Sequence, residues 1–216
     1  MDIRNLGHSC LLVECAGTRV LFDPGVFSTR FEGLTSLDAI VITHAHVDHV
    51  DVDRLPALTA GNPSARLLAE PEIAEQLRGR GLEVQTLAAG QKAEVGSVTL
   101  TAAGGRHAVV HPDIPRIGNV GILLTADGEP CLFHPGDAYD TVPAGVDVLA
   151  LPLQAPWAAG RETIDFARAV RPGVLFPIHD GLLAPAGRGV YLRAMEPLFP
   201  AGTAVRDLGD GQRARF

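Results

Sequence analysis

The chain has 216 residues, 46% of them hydrophobic and 20% charged, and a formal net charge of −7. That length and apolar share suffice for one domain with a sizeable core. The acidic balance argues against a broad nucleic-acid surface, which is normally basic, but not against anionic substrates, because bound divalent cations reverse the local field.

The amino-terminal segment reads as strand-like, with strands over 10–14 and 18–22 flanking Ala16-Gly17 as a hairpin. Asp23-Pro24-Gly25 stops the second strand. A loop through Phe27 and Phe31 leads to an apolar, β-branched run over 37–42, a buried strand. A helix follows from about Asp51 or Asp53, either of which offers a cap, with its body near 54–60. Further on come a strand over 66–69, a helix from Pro71 to about Arg80, and strands over 84–87, 92–95 and 97–103. The second half reads as strands over 120–125, 130–133 and 146–151, a helix over 162–170, a strand over 173–177 and a helix over 190–198. Two short closing strands lie near 203–205 and 212–216. Strand groups with interspersed helices in each half imply two sheets packed together with helices outside. No linker or repeat divides the chain, so a single domain over 1–216 is expected.

Cys10, Cys15 and Cys131 are an odd set without C-x-x-C spacing, and read as buried thiols in a reducing compartment. The segment Met1 to His8 has no apolar signal core, and no run approaches a membrane span. A cytoplasmic protein without membrane contact is expected.

The chemistry concentrates in Thr43-His44-Ala45-His46-Val47-Asp48-His49. If the backbone stays extended past Thr43, His44 and His46 share a face and reach one cation. The following turn re-aims Asp48 and His49 towards a second position. Imidazole nitrogen and carboxylate oxygen suit borderline metals such as zinc. Three later candidates each follow a strand: His107 after Gly104-Gly105-Arg106, Asp137 in Pro135-Gly136-Asp137, and His179 in Pro177-Ile178-His179. Metal sites are commonly assembled this way, from loops at one rim of a sheet.

The run His44-Ala45-His46-Val47-Asp48-His49 resembles the H-x-H-x-D-H signature of the metallo-β-lactamase superfamily. Gly7-His8-Ser9-Cys10, Leu21-Phe22-Asp23-Pro24 and Pro177-Ile178-His179 are similar to the branch containing L-ascorbate-6-phosphate lactonase. The resemblance implies an αββα four-layer sandwich, with two mixed sheets and helices outside. It implies two divalent cations, zinc or manganese, with iron as a further option. His44, His46 and His107 would hold the first and Asp48, His49 and His179 the second, with Asp137 bridging. Ala138 stands where many relatives carry Thr, which removes a hydroxyl beside Asp137. The antibiotic-destroying members generally have a Cys ligand at the position of Asp137 and lack that of His49, so penicillin-type hydrolysis is not expected.

The implied reaction is hydrolysis of a small ester, lactone or phosphorylated metabolite, with a water shared by two metals as nucleophile. Asp48 and Asp137 are the carboxylates assigned catalytic roles, Asp48 or a metal-bound water returning a proton to the leaving group. Two alternatives stay open: a redox enzyme of the persulfide-oxidising kind, and a metal-binding protein without turnover. Around the centre, Asp23 either orients a ligand imidazole or makes an Asp-Pro turn. His8 reads as a core or hydrogen-bonded histidine, with pocket lining as the alternative, and His134 reads as packed. His111 reads as exposed or substrate-facing. Phe27, Arg116 and Trp157 lie in loops that form the pocket mouth or cover core, and Arg116 is the candidate anion partner. The sequence leaves oligomeric state open.

Overall fold

Two seven-stranded sheets face each other in the computed structural model, which describes residues 1–209 and 211–216. The first half of the chain supplies β1 (Asp2–Asn5), β2 (Leu11–Cys15), β3 (Thr18–Phe22), β4 (Ala39–Ile42), α1 (Leu55–Ala60), β5 (Arg66–Ala69), α2 (Pro71–Gly79) and β6 (Gln85–Thr86). The second half supplies β7 (Lys92–Val95), β8 (Val98–Gly104), β9 (Val120–Thr125), β10 (Leu132–His134), β11 (Val148–Pro152), α3 (Gly160–Val170), β12 (Val174–Ile178), α4 (Pro185–Met195) and β13 (Ala204–Val205). The final strand, β14 (Arg213–Arg215), returns to pair with β1. The sheet orders are β14-β1-β2-β3-β4-β5-β6 and β13-β12-β11-β10-β9-β8-β7.

The side-chain pattern of β4 shows why the layers form. Ala39 and Val41 join the core between the sheets, while Ile40 and Ile42 pack outward with Leu55, Leu58, Ile73 and Leu77 of α1 and α2. A strand buried on both faces must be apolar throughout, as this one is. Strand β11 divides the same way: Val148 and Ala150 face the first sheet, and Leu149 and Leu151 pack with Phe166, Ala167 and Met195 of α3 and α4. The result is the expected αββα sandwich with mixed sheets.

Several boundaries differ from the sequence reading. Strand β1 had no boundary in that reading, because Asp2 and Arg4 alternate with buried Ile3 and Asn5 over only four residues. Helix α4 starts at Pro185, five residues early, where Gly187 and Gly189 masked its helical character, and its end tightens into a 3-10 turn over Glu196–Leu198. Helix α3 starts at Gly160. Neither Asp51 nor Asp53 caps α1: the N-cap is Arg54, with no side-chain cap. Asp51 instead accepts the N–H groups of Asp53 and Arg54 and the Arg54 Nε–H, closing the turn before the helix.

Parallel strands β3, β4 and β5 in one sheet, and β10, β11 and β12 in the other, send their C-terminal ends to a common rim. Two backbone bonds join the sheets there: Val120 N–H donates to Thr43 O at 3.0 Å and His179 N–H to His8 O at 3.0 Å. Among the described residues, no helix is long and apolar enough to cross a membrane.

Candidate metal centre

The loops leaving β4, β8, β10 and β12 place all seven predicted ligands at the rim, and His8, between β1 and β2, joins them. Ligand atoms of His44, His46, His107 and Asp137 form one cluster, and those of His8, Asp48, His49 and His179 a second; within each, the atoms lie within 4.8 Å of one another. Strand β4 ends at Ile42, so continued extension does not align His44 with His46; their rings still meet at 4.9 Å between centroids.

Hydrogen bonds decide which nitrogen of each ring faces the centre. The Nδ1–H of His107 donates to Ala108 O and that of His179 to Gln154 O, each at 2.7 Å. His49 Nδ1–H donates to Asp23 Oδ2 at 2.7 Å. Thr43 Oγ1 gives its only proton to Asp23 Oδ2 at 2.7 Å, so at 2.9 Å it accepts from His44 Nδ1–H. A ring that donates through Nδ1 presents Nε2 as a ligand lone pair. The Nε2 atoms of His44, His49, His107 and His179 are all buried without a hydrogen-bond partner, as is Asp137 Oδ1. Orphaned polar atoms of this kind are rare in a folded interior, and five converging on one space fit divalent cations.

Asp137 lies between the clusters. Its Oδ1 is 3.1 Å from His49 Nε2, and its Oδ2 is 3.1 Å from His179 Nε2 and 3.4 Å from His107 Nε2. Gly136 precedes it at φ 61°, and a Cβ there would meet Asn119 Oδ1 at 2.2 Å; that oxygen accepts the Asp137 N–H at 2.9 Å. Burial opposes its charge, but His49 and His179 hold the carboxyl well below its usual range. Burial likewise disfavours a charged His49, yet Asp137 and Asp23 raise it well above its ordinary value. A cation bound there competes with that proton.

His8 joins the second cluster by position but not by chemistry. Its Nδ1 accepts the Gly181 N–H at 3.1 Å, so the proton sits on Nε2 and is donated to Asp48 Oδ2 at 3.0 Å. A protonated nitrogen has no lone pair for a cation. Despite the cost of burial, this bond and the charge of His49 bring Asp48 down to about 2. His8 is therefore buried and hydrogen-bonded, and also lines the centre.

The neighbouring candidates divide clearly. Asp23, fully buried, accepts from Thr43 N, Thr43 Oγ1 and His49 Nδ1, and so orients two ligand rings. Trp157 Nε1–H donates to Asp137 Oδ2 at 2.8 Å and belongs to the centre. Phe27 packs edge-on against His8, with ring centroids 5.1 Å apart. His134 is packed as expected: it stacks on Phe22, donates from Nε2 to Ser9 O and accepts the Gly136 N–H at Nδ1. His111 is exposed and accepts the Asp113 N–H, away from the ligands. Arg116 is not the open anion partner expected, because its Nε–H donates to His107 O at 2.7 Å and its Nη2 pairs with Asp140 at 3.4 Å. The three cysteines are free thiols, Cys10 and Cys15 buried and Cys131 half-buried.

Residues 2–179 match the family described as the beta-lactamase superfamily domain. The chain belongs to this superfamily. It is 47% identical over 192 residues to Protein Rv0786c of Mycobacterium tuberculosis, covering 88% of this chain and 89% of the relative. It is 30% identical over 198 residues to a UPF0173 metal-dependent hydrolase of Bacillus velezensis, covering 83% of this chain and 85% of the relative. Igni18, a metallo hydrolase of the archaeon Ignicoccus hospitalis, shares the fold with a TM-score of 0.74 at 20% identity, over 100% of this chain and 98% of that one. This superfamily chain is thus an enzyme, a metal-dependent hydrolase, with two candidate His/Asp metal clusters at its rim.

Proposed function

We propose that the enzyme is binuclear and hydrolyses a small neutral ester or lactone. His44, His46 and His107 would hold one cation, Asp48, His49 and His179 the other, and Asp137 both. The observation that carries this reading is the convergence of four orphaned Nε2 atoms on the Asp137 carboxylate. The all-nitrogen and oxygen donor set suits zinc and manganese, and iron is compatible with it. Bound there, divalent cations supply activated water at neutral pH and Lewis-acid polarisation of the scissile group.

The protein's own groups then have defined tasks. Asp23 and the backbone acceptors of Ala108 and Gln154 keep Nδ1 protonated and Nε2 available. Trp157 restrains the Asp137 carboxylate. Asp48 is the more accessible carboxylate, 19% exposed against 3% for Asp137. Held near 2 and hydrogen-bonded to His8, it is ionised at neutral pH, as a metal ligand must be, and it or a metal-bound water would return the proton to the leaving group.

A lactone is favoured by the resemblance of the opening and closing segments to the phosphorylated-lactone branch. The phosphate is less so, since Arg116 commits its Nε–H to His107 O and pairs its charge with Asp140. The three free thiols fit a reducing cytoplasm, and the net charge of −7 fits a small-molecule substrate over a nucleic acid. A panel of lactones, alkyl esters, thioesters, phosphodiesters and persulfides on the zinc- and manganese-loaded enzyme tests the reading. Turnover of carboxylic esters or lactones is expected. Turnover of persulfide with oxygen uptake, and of no ester, would replace hydrolysis with redox chemistry.

A further inference from the structure

An open groove of about 430 Å³ adjoins the centre, lined by Val109, Arg116, Tyr139, Asp140, Trp157 and Glu162. Its volume falls within the range of small-ligand sites. It is continuous with the metal centre, because Trp157 forms one wall and donates from that wall to Asp137. The Trp157 ring also lies 6.1 Å from His107 and 6.2 Å from His179, centroid to centroid. Tyr139 cannot offer a polar contact: its hydroxyl donates to Pro152 O at 2.6 Å and meets Thr163 Oγ1 at 3.1 Å, leaving the ring towards Trp157. The loop after His107 leaves Val109, Val110 and Ile114 exposed by 49%, 38% and 51%. Apolar side chains grouped on a ligand-bearing loop mark a binding surface better than isolated ones do.

Charge narrows the occupant further. The lining holds one cation, Arg116, already paired with Asp140, and a second carboxylate, Glu162, which accepts the Ala159 N–H and lies 3.8 Å from exposed Arg161. An anionic group entering the groove meets an excess of carboxylate, whereas an alkyl or aryl group meets Ala108, Val109 and the aromatic rings of Tyr139 and Trp157.

We propose that this groove is the specificity site for a neutral apolar substituent on the scissile ester or lactone, and that it disfavours substrates charged at that end. The proposal rests on the hydrolase reading above, but its test does not depend on turnover. Trp157 is the only tryptophan in the chain, so intrinsic fluorescence reports the groove directly. On the metal-loaded enzyme, N-hexylacetamide should shift Trp157 emission at concentrations at least about tenfold below those needed for 6-acetamidohexanoate. In the ester assay, hexyl acetate or ethyl hexanoate should exceed ethyl acetate in kcat/KM by at least about tenfold. The monoethyl ester of adipic acid should lose that gain. The exposed substitution Val109→Asp should reduce the hexanoate-to-acetate ratio and the response to N-hexylacetamide. Equal emission responses to the two amides, or no response to either, would overturn the groove assignment whether or not esters are cleaved. An emission response as expected with no ester turned over would uphold the groove and reject ester hydrolysis alone.

Discussion

The seven predicted ligands are legible as residues because their chemistry is local: three histidines and an aspartate within six positions, and one candidate after each of three later strands. The role of His8 is not local, because it depends on the Gly181 N–H, 173 residues away, which fixes the ring proton on Nε2. Replacing His8 should therefore act on Asp48. His8→Leu should weaken the second metal by about 10–100-fold, the usual effect of losing a group that orients a ligand. His8→Gln, which keeps an amide donor near the Nε2 position, should recover part of the loss. Chelator competition monitored with cobalt measures both, and equal affinities in the wild type and His8→Leu would contradict the assignment. Arg116 shows the opposite failure of local reading. Its nearness to His107 in sequence suggested an anion contact, but that same nearness lets it bind the His107 carbonyl.

At the scale of elements, strands were read well wherever both faces are apolar, as in β4 and β11, and helices less well where glycine or proline dilutes the pattern, as in α4. The turn after β3 carries information that only contacts reveal. Asp23 adopts φ 44° to reach Thr43 and His49, and Gly25 passes so close to the histidine loop that a Cβ would lie 1.9 Å from Asp48 O. The obstacle is backbone, which cannot rotate aside. Gly25→Ala should thus cost about 3 kcal/mol or more of stability and lower metal affinity with it. Gly79, in the last turn of α2, has nothing within 4 Å of such a Cβ. Gly79→Ala should stabilise by roughly 0.5–1 kcal/mol. Urea denaturation of both variants checks the pair, and similar effects would show that the Gly25 contact is absorbed by loop movement.

At the scale of the molecule, each half builds a sheet, apart from β14, which returns to the first, and the candidate centre sits where their strand ends meet, so neither half holds a complete candidate cluster. His134, packed between the sheets beside this rim, contributes a pH dependence of its own. Burial lowers it from its ordinary value of 6.5, and bonds at both nitrogens fix the neutral form. Below pH 6.5 the unfolded chain binds a proton there that the folded chain refuses, so its contribution is full above 6.5 and is lost as pH falls towards the lowered folded value. In EDTA, between pH 7.5 and 5.5, wild-type stability should fall more steeply than that of His134→Gln, by up to about 1.4 kcal/mol per pH unit. Parallel slopes would contradict this. The shared centre itself is tested most directly by elemental analysis of zinc- and manganese-loaded protein alongside Asp137→Ala, His107→Ala and His179→Ala. The wild type should hold about two metal ions per chain. His107→Ala and His179→Ala should each lose chiefly one, and Asp137→Ala should weaken both together. A wild-type maximum near one, or an Asp137→Ala variant that keeps both metals and full turnover, would contradict a binuclear centre bridged by Asp137.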